Sequence, residues 1–348
     1  MASSRRTVRA RAPLRLGLAG GGTDLLAYSD RFGGVVLNAT IDRFAYAFVS
    51  PRDDGQVLFL SNDRDQSHGF PIAAPQLPSS CLPLHAGVYE YVVRELNQGR
   101  PLAVTITTTV DVPPESGLGA SSALTVALIG ALQAYLGHPW DAYEAAQRAV
   151  HIERTELGLP GGRQDQHAAA FGGVNLIDFQ AGGRVIVNPL RIPDDARNEL
   201  EASLVVCHVA GNRDATGIIR QQIDLVSEGH EAVIEAFHRL KAGAFAIKDS
   251  ILLGDIGGTA AILGASWDAK KMTATGVSTD KVERLCDIAA RQGALASKIS
   301  GAGGGGFLMF LIAPENRLGL INALNGAGGN SGPVKFTDRG CEAWRVRA

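Results

Sequence analysis

Ser121 and Ser122 close a run, Val110-Asp-Val-Pro-Pro-Glu-Ser-Gly-Leu-Gly-Ala-Ser-Ser-Ala123, whose residue types suit the holding of an anion. Pro113 and Pro114 cannot continue a hydrogen-bonded ladder, and Gly117 and Gly119 let the backbone wrap closely around a ligand. Before the run, Leu102 to Val110 alternates as a strand, with Leu102, Val104, Ile106, Thr108 and Val110 on one face. After it, Ser121 to Tyr135 is too long for a strand and reads as a mostly buried helix. Strand, glycine loop and helix start bring free backbone N–H groups and the positive end of a helix dipole to one point, which suits a phosphate. The run is neither the phosphate loop ending in Gly-Lys-Ser/Thr nor a dinucleotide fingerprint. Its two hydroxyls stand where a magnesium ligand is wanted. The competing reading is a plain serine cap on a helix.

The eleven residues from Pro113 to Ala123 resemble the ATP-binding motif of the GHMP kinases, the family of galactokinase and of homoserine, mevalonate and phosphomevalonate kinases. Arg11-Ala-Pro-Leu-Arg-Leu-Gly-Leu-Ala-Gly-Gly-Gly-Thr-Asp24 resembles the first motif of that family, and Lys298-Ile-Ser-Gly-Ala-Gly-Gly-Gly-Gly-Phe307 its third. The three stand in the family's order and span almost the whole chain. Ala19 to Asp24 and Phe32 to Asp42 look most like the branch that phosphorylates D-glycero-D-manno-heptose 7-phosphate.

The resemblance implies ATP and Mg2+ as cofactors, and it implies roles for single residues. ATP would be held by Pro114, Glu115, Ser116, Gly117, Leu118, Gly119, Ala120, Ser121 and Ser122. Matching Gly-Leu-Gly to the family puts Ser121 on the magnesium-associated serine, with Glu153 as the second ligand. One hydroxyl and one carboxylate suffice for a hard ion that keeps phosphate and water oxygens. Asp165 falls on the aspartate placed beside the acceptor hydroxyl in galactokinase and mevalonate kinase, and absent from homoserine kinase. Arg15 occupies the family's lysine position; its planar fork and fixed charge make that departure significant. Gly22, Thr23 and Asp24 match a clamp on sugar hydroxyls, and Gly303 and Gly304 offer further backbone donors. A looser match carries Arg213 and Thr216 to the substrate side. Each has an ordinary rival: a solvated helix carboxylate for Glu153, a helix cap for Asp165, an exposed strand arginine for Arg15, a turn residue for Asp24.

The implied activity is an ATP-dependent sugar 1-kinase acting on D-glycero-α-D-manno-heptose 7-phosphate. Its 1,7-bisphosphate product would feed GDP-heptose for bacterial capsule or lipopolysaccharide. The alternatives are a kinase for a free sugar such as fucose or galactose, and a non-catalytic sugar-phosphate sensor of the same fold. Joint retention of Ser121, Glu153 and Asp165 speaks against the sensor, which needs none of them.

Composition agrees with an enzyme of this kind. The chain has 348 residues, 20% charged and 45% hydrophobic, with a net charge of −2, which argues against a nucleic-acid surface. Four well-separated cysteines without a CxxC fit a reducing compartment and no structural zinc. The arginines near the start are followed by no long apolar core, and no run is long enough for a membrane span, so a cytoplasmic protein is expected. A homodimer is left open.

To position these residues the chain needs an opening strand over 7–18, strands over 35–38 and 41–50, and a surface connection over 61–80. A helix is expected over 84–97, and another from a cap at Asp141 to about Leu157, with Glu144 in the capping-box position. A short helix over 164–171 and a hairpin of 174–178 with 184–188 follow. Pro189 to Pro193 is the expected boundary between domains of 1–190 and 191–348. Beyond it the pattern gives a strand over 204–210 and helices near 214–227, 230–248, 254–267 and 279–292. Strands over 297–300 and 306–312 then frame the four-glycine loop, with two final strands near 333–337 and 341–347. This mixture reads as α+β. The family resemblance supplies the topology: an N-terminal domain like ribosomal protein S5 domain 2 and a ferredoxin-like C-terminal domain, with the active site between them.

Overall fold

A computed structural model describes residues 6–74, 82–138, 140–209 and 214–347. The first part of the chain comprises β1 (Val8–Ala19), α1 (Leu26–Phe32), β2 (Gly34–Pro51), β3 (Gln56–Ser61), β4 (Gln66–Pro71), α2 (Pro83–Leu96) and β5 (Val104–Val110). It continues with α3 (Ala120–Leu136), α4 (Ala142–His151), a π-helical turn (Ile152–Glu156), α5 (Gln164–Phe171), β6 (Val174–Phe179) and β7 (Val185–Pro189). After Pro189 come α6 (Asp194–Ser203), β8 (Leu204–Val209), α7 (Ala215–Ser227), α8 (Glu231–Leu252), α9 (Ile256–Lys271) and α10 (Asp280–Arg291). The chain closes with β9 (Ala294–Ile299), β10 (Gly306–Ile312), α11 (Arg317–Gly326), β11 (Asn330–Pro333) and β12 (Glu342–Arg345).

Two sheets result. The first has eight strands in the order β12-β1-β2-β5-β3-β4, with β6 on β2 and β7 on β6; the second runs β11-β8-β10-β9. All described ladders are antiparallel except β3 with β5. The α+β architecture expected from the sequence is therefore the observed one. The last strand leaves the second sheet and pairs with β1, Arg11 lying opposite Glu342.

Burial explains the central helix. Every residue of α3 from Ser122 to Leu132 is buried, so its sequence is apolar on all sides instead of along one stripe. It packs on β1 and β2 beneath and on α2 and α5 beside it. Asp141 caps α4 as its spacing predicts, its Oδ1 accepting from the Glu144 N–H at 2.8 Å.

Several elements depart from the sequence expectation. The two strands expected over 35–38 and 41–50 are one 18-residue strand. Its first half is buried on both faces and its second alternates, so the exposed Asp42-Arg43 pair marks a change of covering and not a turn. The supposed surface connection after Ser61 contains β4, which pairs with β3. α1, α6 and α11 are short or interrupted by glycine and polar residues, and their periodicity is too brief to register. The strand expected near 333–337 ends at Pro333. Phe336 beyond it forms a lone bridge to Ile41.

Candidate active site

A cleft of about 370 Å³ opens between the two sheets' helices and loops. Pro114 to Gly117, Gly119 to Ser122, Glu153 and Asp165 line one side, and Thr216, Gln222, Lys270, Gly301 and Ala302 the other. Arg15 and Ala302, 287 positions apart in sequence, meet here.

The glycine loop is fixed from both sheets. Leu118 turns inward and is buried, while its carbonyl accepts from the Arg15 N–H at 3.0 Å; the Ser116 carbonyl accepts from the Phe307 N–H at 2.8 Å. Gly119 ends the loop at φ 74° and starts α3. A Cβ there would lie 3.1 Å from the Asp165 carboxyl carbon, so only glycine lets loop and carboxylate sit together. Ala120, Ser121 and Ser122 form the first turn of α3, whose opening N–H groups have no partner within the helix.

Arg15 is buried and not an exposed strand residue. The β1–β2 register shifts between Pro13 and Arg15, a bulge that re-aims the side chain away from the ladder. The guanidinium then uses its whole fork. Nε donates to Asp165 Oδ1 at 2.7 Å, Nη2 lies 2.6 Å from the same oxygen, and Nη1 donates to Gly117 O and Ser300 Oγ at 2.8 and 3.2 Å. Asp165, with its side chain 24% exposed, faces the cleft from the first turn of α5.

Asp165 is not the cap of α5. Asp24 fills that role from a distant loop: its Oδ2 accepts from the N–H groups of Arg163 and Gln164 at 2.8 and 3.0 Å, and its Oδ1 from Gly22 N–H and Gln164 Nε2. The carboxylate expected to clamp sugar hydroxyls is thus mostly engaged inside the protein, though it reaches the cleft wall. Thr23 departs further. Its buried hydroxyl donates to the carbonyls of Gly20 and Val35 and accepts from the Val35 N–H, which fixes the turn. Gly22 lines the cleft.

Glu153 lies at the start of the π-helical turn, fully buried and not on a solvated face. A wider turn of this kind is a frequent device for turning one side chain inward. Its Oε2 accepts from Ser122 Oγ at 2.9 Å and Gln166 Nε2 at 3.0 Å, with Arg154 Nη1 at 3.3 Å. Its Oε1 is buried without a hydrogen-bond partner. Burial pushes the carboxyl above its ordinary range, against the Arg154 charge and the Ser122 hydroxyl. An orphaned carboxylate oxygen on the wall of an anion-binding cleft fits a hard divalent cation. Ser121 is exposed on the same wall, whereas Ser122 is tied to Glu153. Among the described residues no group of three or more His, Cys, Asp or Glu is placed to hold a metal, so such an ion would need phosphate oxygens as well.

Of the remaining expected residues, Thr216 lines the cleft from the start of α7, and Arg213 lies outside the described residues. In the four-glycine loop the cleft wall is made by Gly301 and Ala302 in place of Gly303 and Gly304. The Gly304 N–H is turned to the Val277 carbonyl at 2.8 Å.

Residues 83–173 match the model of the GHMP kinases N terminal domain, and residues 232–328 that of the GHMP kinases C terminal. The D-glycero-alpha-D-manno-heptose 7-phosphate kinase of Campylobacter jejuni is 39% identical over 341 residues, covering 98% of this chain and 100% of the relative. The chain belongs to the GHMP kinases. A crystal structure named as a D-glycero-D-manno-heptose 1-phosphate kinase from Bacteroides thetaiotaomicron is 36% identical, with a TM-score of 0.83 over 98% of this chain and 100% of that one. Lactococcus lactis galactokinase, at 16% identity and a TM-score of 0.76 over 98% and 96% of the chains, shares the fold.

As a GHMP kinase the protein is an ATP-dependent phosphotransferase, and the expected two-domain fold stands. Among its described residues no helix is long and apolar enough to cross a membrane. Reasoning from the sequence overlooked Lys270, Gln164, Gln166 and Ser300. The first two line the cleft and Gln166 bonds Glu153. Lys270 carries no local signal. Gln164 and Gln166 flank Asp165, Ser300 lies inside the Lys298 to Phe307 motif, and those adjacencies are the hints the chain offers.

Proposed function

We propose that this GHMP kinase transfers the γ-phosphoryl group of ATP to the anomeric hydroxyl of D-glycero-α-D-manno-heptose 7-phosphate. The observation that carries the reading is the Arg15–Asp165 pair. It sets a carboxylate, 2.6–2.7 Å from a fully engaged guanidinium, against the loop and helix start that suit the ATP phosphates. The full-length likeness to the Campylobacter enzyme supports the sugar. A place in the supply of activated heptose for a bacterial surface polysaccharide belongs to the same proposal, as does a division of the chain at Pro189 to Pro193, with β12 returning to the first sheet.

The chemistry follows from the geometry. Asp165 accepts the proton of the acceptor hydroxyl as the oxygen bonds to the γ-phosphorus and the bond to the β,γ-bridging oxygen breaks, releasing ADP, and Arg15 fixes the carboxylate's orientation while holding positive charge beside the reacting centre. The N–H groups at the start of α3 and the loop from Pro114 to Ser122 orient the phosphates. Glu153 Oε1 and Ser121 Oγ would hold Mg2+, which neutralises phosphate charge when bound. Gly22 and Asp24 border the sugar from the first sheet, and Thr216 and Lys270 from the opposite wall.

The role of Glu153 has its own check. Glu153→Gln removes the buried charge, so Mg2+ at saturating ATP should reach half-effect only at a raised concentration. A buried carboxyl raised above its unfolded value costs stability as pH rises through that window. Metal bound at Oε1 should offset that cost, so the melting temperature of the wild type, but not of Glu153→Gln, should rise with Mg2+ near neutral pH. Identical Mg2+ responses in the two proteins would return Glu153 to a purely structural role.

Substrate choice tests the whole reading. The 7-phosphate is a dianion far from the anomeric hydroxyl, and charge-assisted contacts contribute about 1.5–3 kcal/mol each. Two of them favour the phosphorylated sugar by a factor on the order of 10²–10⁴ in kcat/KM. Lys270 is a buried lysine on the cleft wall and serves as one such donor; Arg213, which lies outside the described residues, is carried from the sequence resemblance alone as the other. The expected result is strong preference for heptose 7-phosphate over free heptose, fucose or galactose, with a new anomeric phosphate in the phosphorus NMR spectrum. Equal efficiency with a free sugar would overturn the heptose assignment and leave the kinase.

A further inference from the structure

The third glycine-rich segment is expected to face the ligands, and Gly301 and Ala302 do, while the residues that lead into it bond to the first sheet. Lys298, at the end of β9, and Ser300, just beyond it, are buried. Lys298 Nζ donates to the Gly17 carbonyl at 2.8 Å and to the Ile299 carbonyl at 3.2 Å. Ser300 Oγ accepts from the Gly17 N–H and from Arg15 Nη1, both at 3.2 Å. The N–H and C=O of one residue, Gly17, are therefore held from the second sheet, two positions after Arg15. Gly17 sits where the β1–β2 ladder shifts register again, between Gly17 and Ala19. The second sheet supplies the bonds that the interrupted ladder leaves open. The adjacent bond from Phe307 N–H to Ser116 O ties the ATP loop to the same sheet.

We propose that Lys298 and Ser300 are positioning residues for phosphoryl transfer, holding Arg15 in register with Asp165 from the opposite domain. The proposal rests on the reading of Arg15 and Asp165 given above. A buried guanidinium between strands of a bulged ladder has several partners to choose from. Ser300 Oγ is the side-chain acceptor that turns Nη1 inward and leaves Nε and Nη2 for Asp165. Burial, with Lys270 and Arg15 adding their charges, pushes Lys298 down to about 7. Its amine thus clamps Gly17 near neutrality without a full second cation behind the arginine. Movement of the second sheet relative to the first would shift Gly17, and with it the angle at which Arg15 meets the carboxylate.

A double-mutant cycle tests this. Ser300→Ala should lower kcat about 10- to 100-fold, the loss of one hydrogen bond to a charged group, with KM for ATP within about twofold. In an Arg15→Met background the same substitution should cost almost nothing further, because the group it orients is gone. Lys298→Met should act in the same direction, and thermal unfolding of each variant shows whether it is folded. A Ser300→Ala enzyme with unchanged kcat overturns the proposal. So does a cost that persists undiminished in Arg15→Met, since the serine would then act through the fold alone. Failure of the underlying reading looks different: Arg15→Met itself would retain wild-type turnover.

Discussion

Asp165→Asn should lower kcat by roughly 10²–10⁴-fold while ATP affinity changes only a few-fold, as measured by steady-state kinetics and nucleotide titration. The substitution keeps the shape of the side chain and removes its capacity to accept a proton. It also removes the negative charge that Arg15 Nε and Nη2 approach to 2.7 and 2.6 Å. The helix that carries residue 165 should survive, because Asp24 and not Asp165 caps it. A folded protein, its melting temperature lowered only by the unpaired Arg15 charge, beside a collapsed kcat is therefore the expected signature. Near-normal turnover in this variant would mean that the carboxylate is merely the partner of Arg15.

Gly119→Val should abolish measurable turnover for two separable reasons. The left-handed conformation at φ 74° costs a side-chain-bearing residue about 1–2 kcal/mol. More specifically, the added Cβ would stand 3.1–3.3 Å from three atoms of Asp165, so the carboxylate must move off Arg15 or the loop must open. Either shift reaches the anion-binding turn, and weakened ATP binding should accompany the lost turnover, with the circular-dichroism spectrum largely kept. Gly119→Ala isolates the Cβ contact from the bulk of valine and should already show part of the effect. A valine variant with normal nucleotide affinity and turnover would place the phosphates elsewhere.

Much of this protein was legible in the chain because its signals are local. Period-two and period-3.6 patterns marked β1, β5, α2 and α10, the length of an apolar run marked α3, and Asp141 with Glu144 marked the start of α4. The clustered glycines marked the loop from Gly117 to Gly119, where positive φ is required. Arg15 and Asp165, 150 positions apart, were reached through resemblance to a family, and the fold brings them into contact. Spacing alone could not have paired them.

What only the tertiary structure decided is how each polar group is used. Ser121 and Ser122 are adjacent and chemically identical, yet Ser122 bonds the buried Glu153 and Ser121 faces the cleft. Thr23 and Asp24 carry the chemistry of a sugar clamp, but their oxygens are largely engaged by backbone N–H groups of Val35, Arg163 and Gln164. The return of β12 to β1, and of Lys298 and Ser300 to Gly17, joins residues nearly the length of the chain apart. The physical reason is common to all of these. A sequence fixes which donors, acceptors and turns are available, because those depend on residue type and near neighbours. Which donor meets which acceptor depends on burial, where every unpaired polar group is costly and the partner is whatever the packed elements bring within about 3 Å.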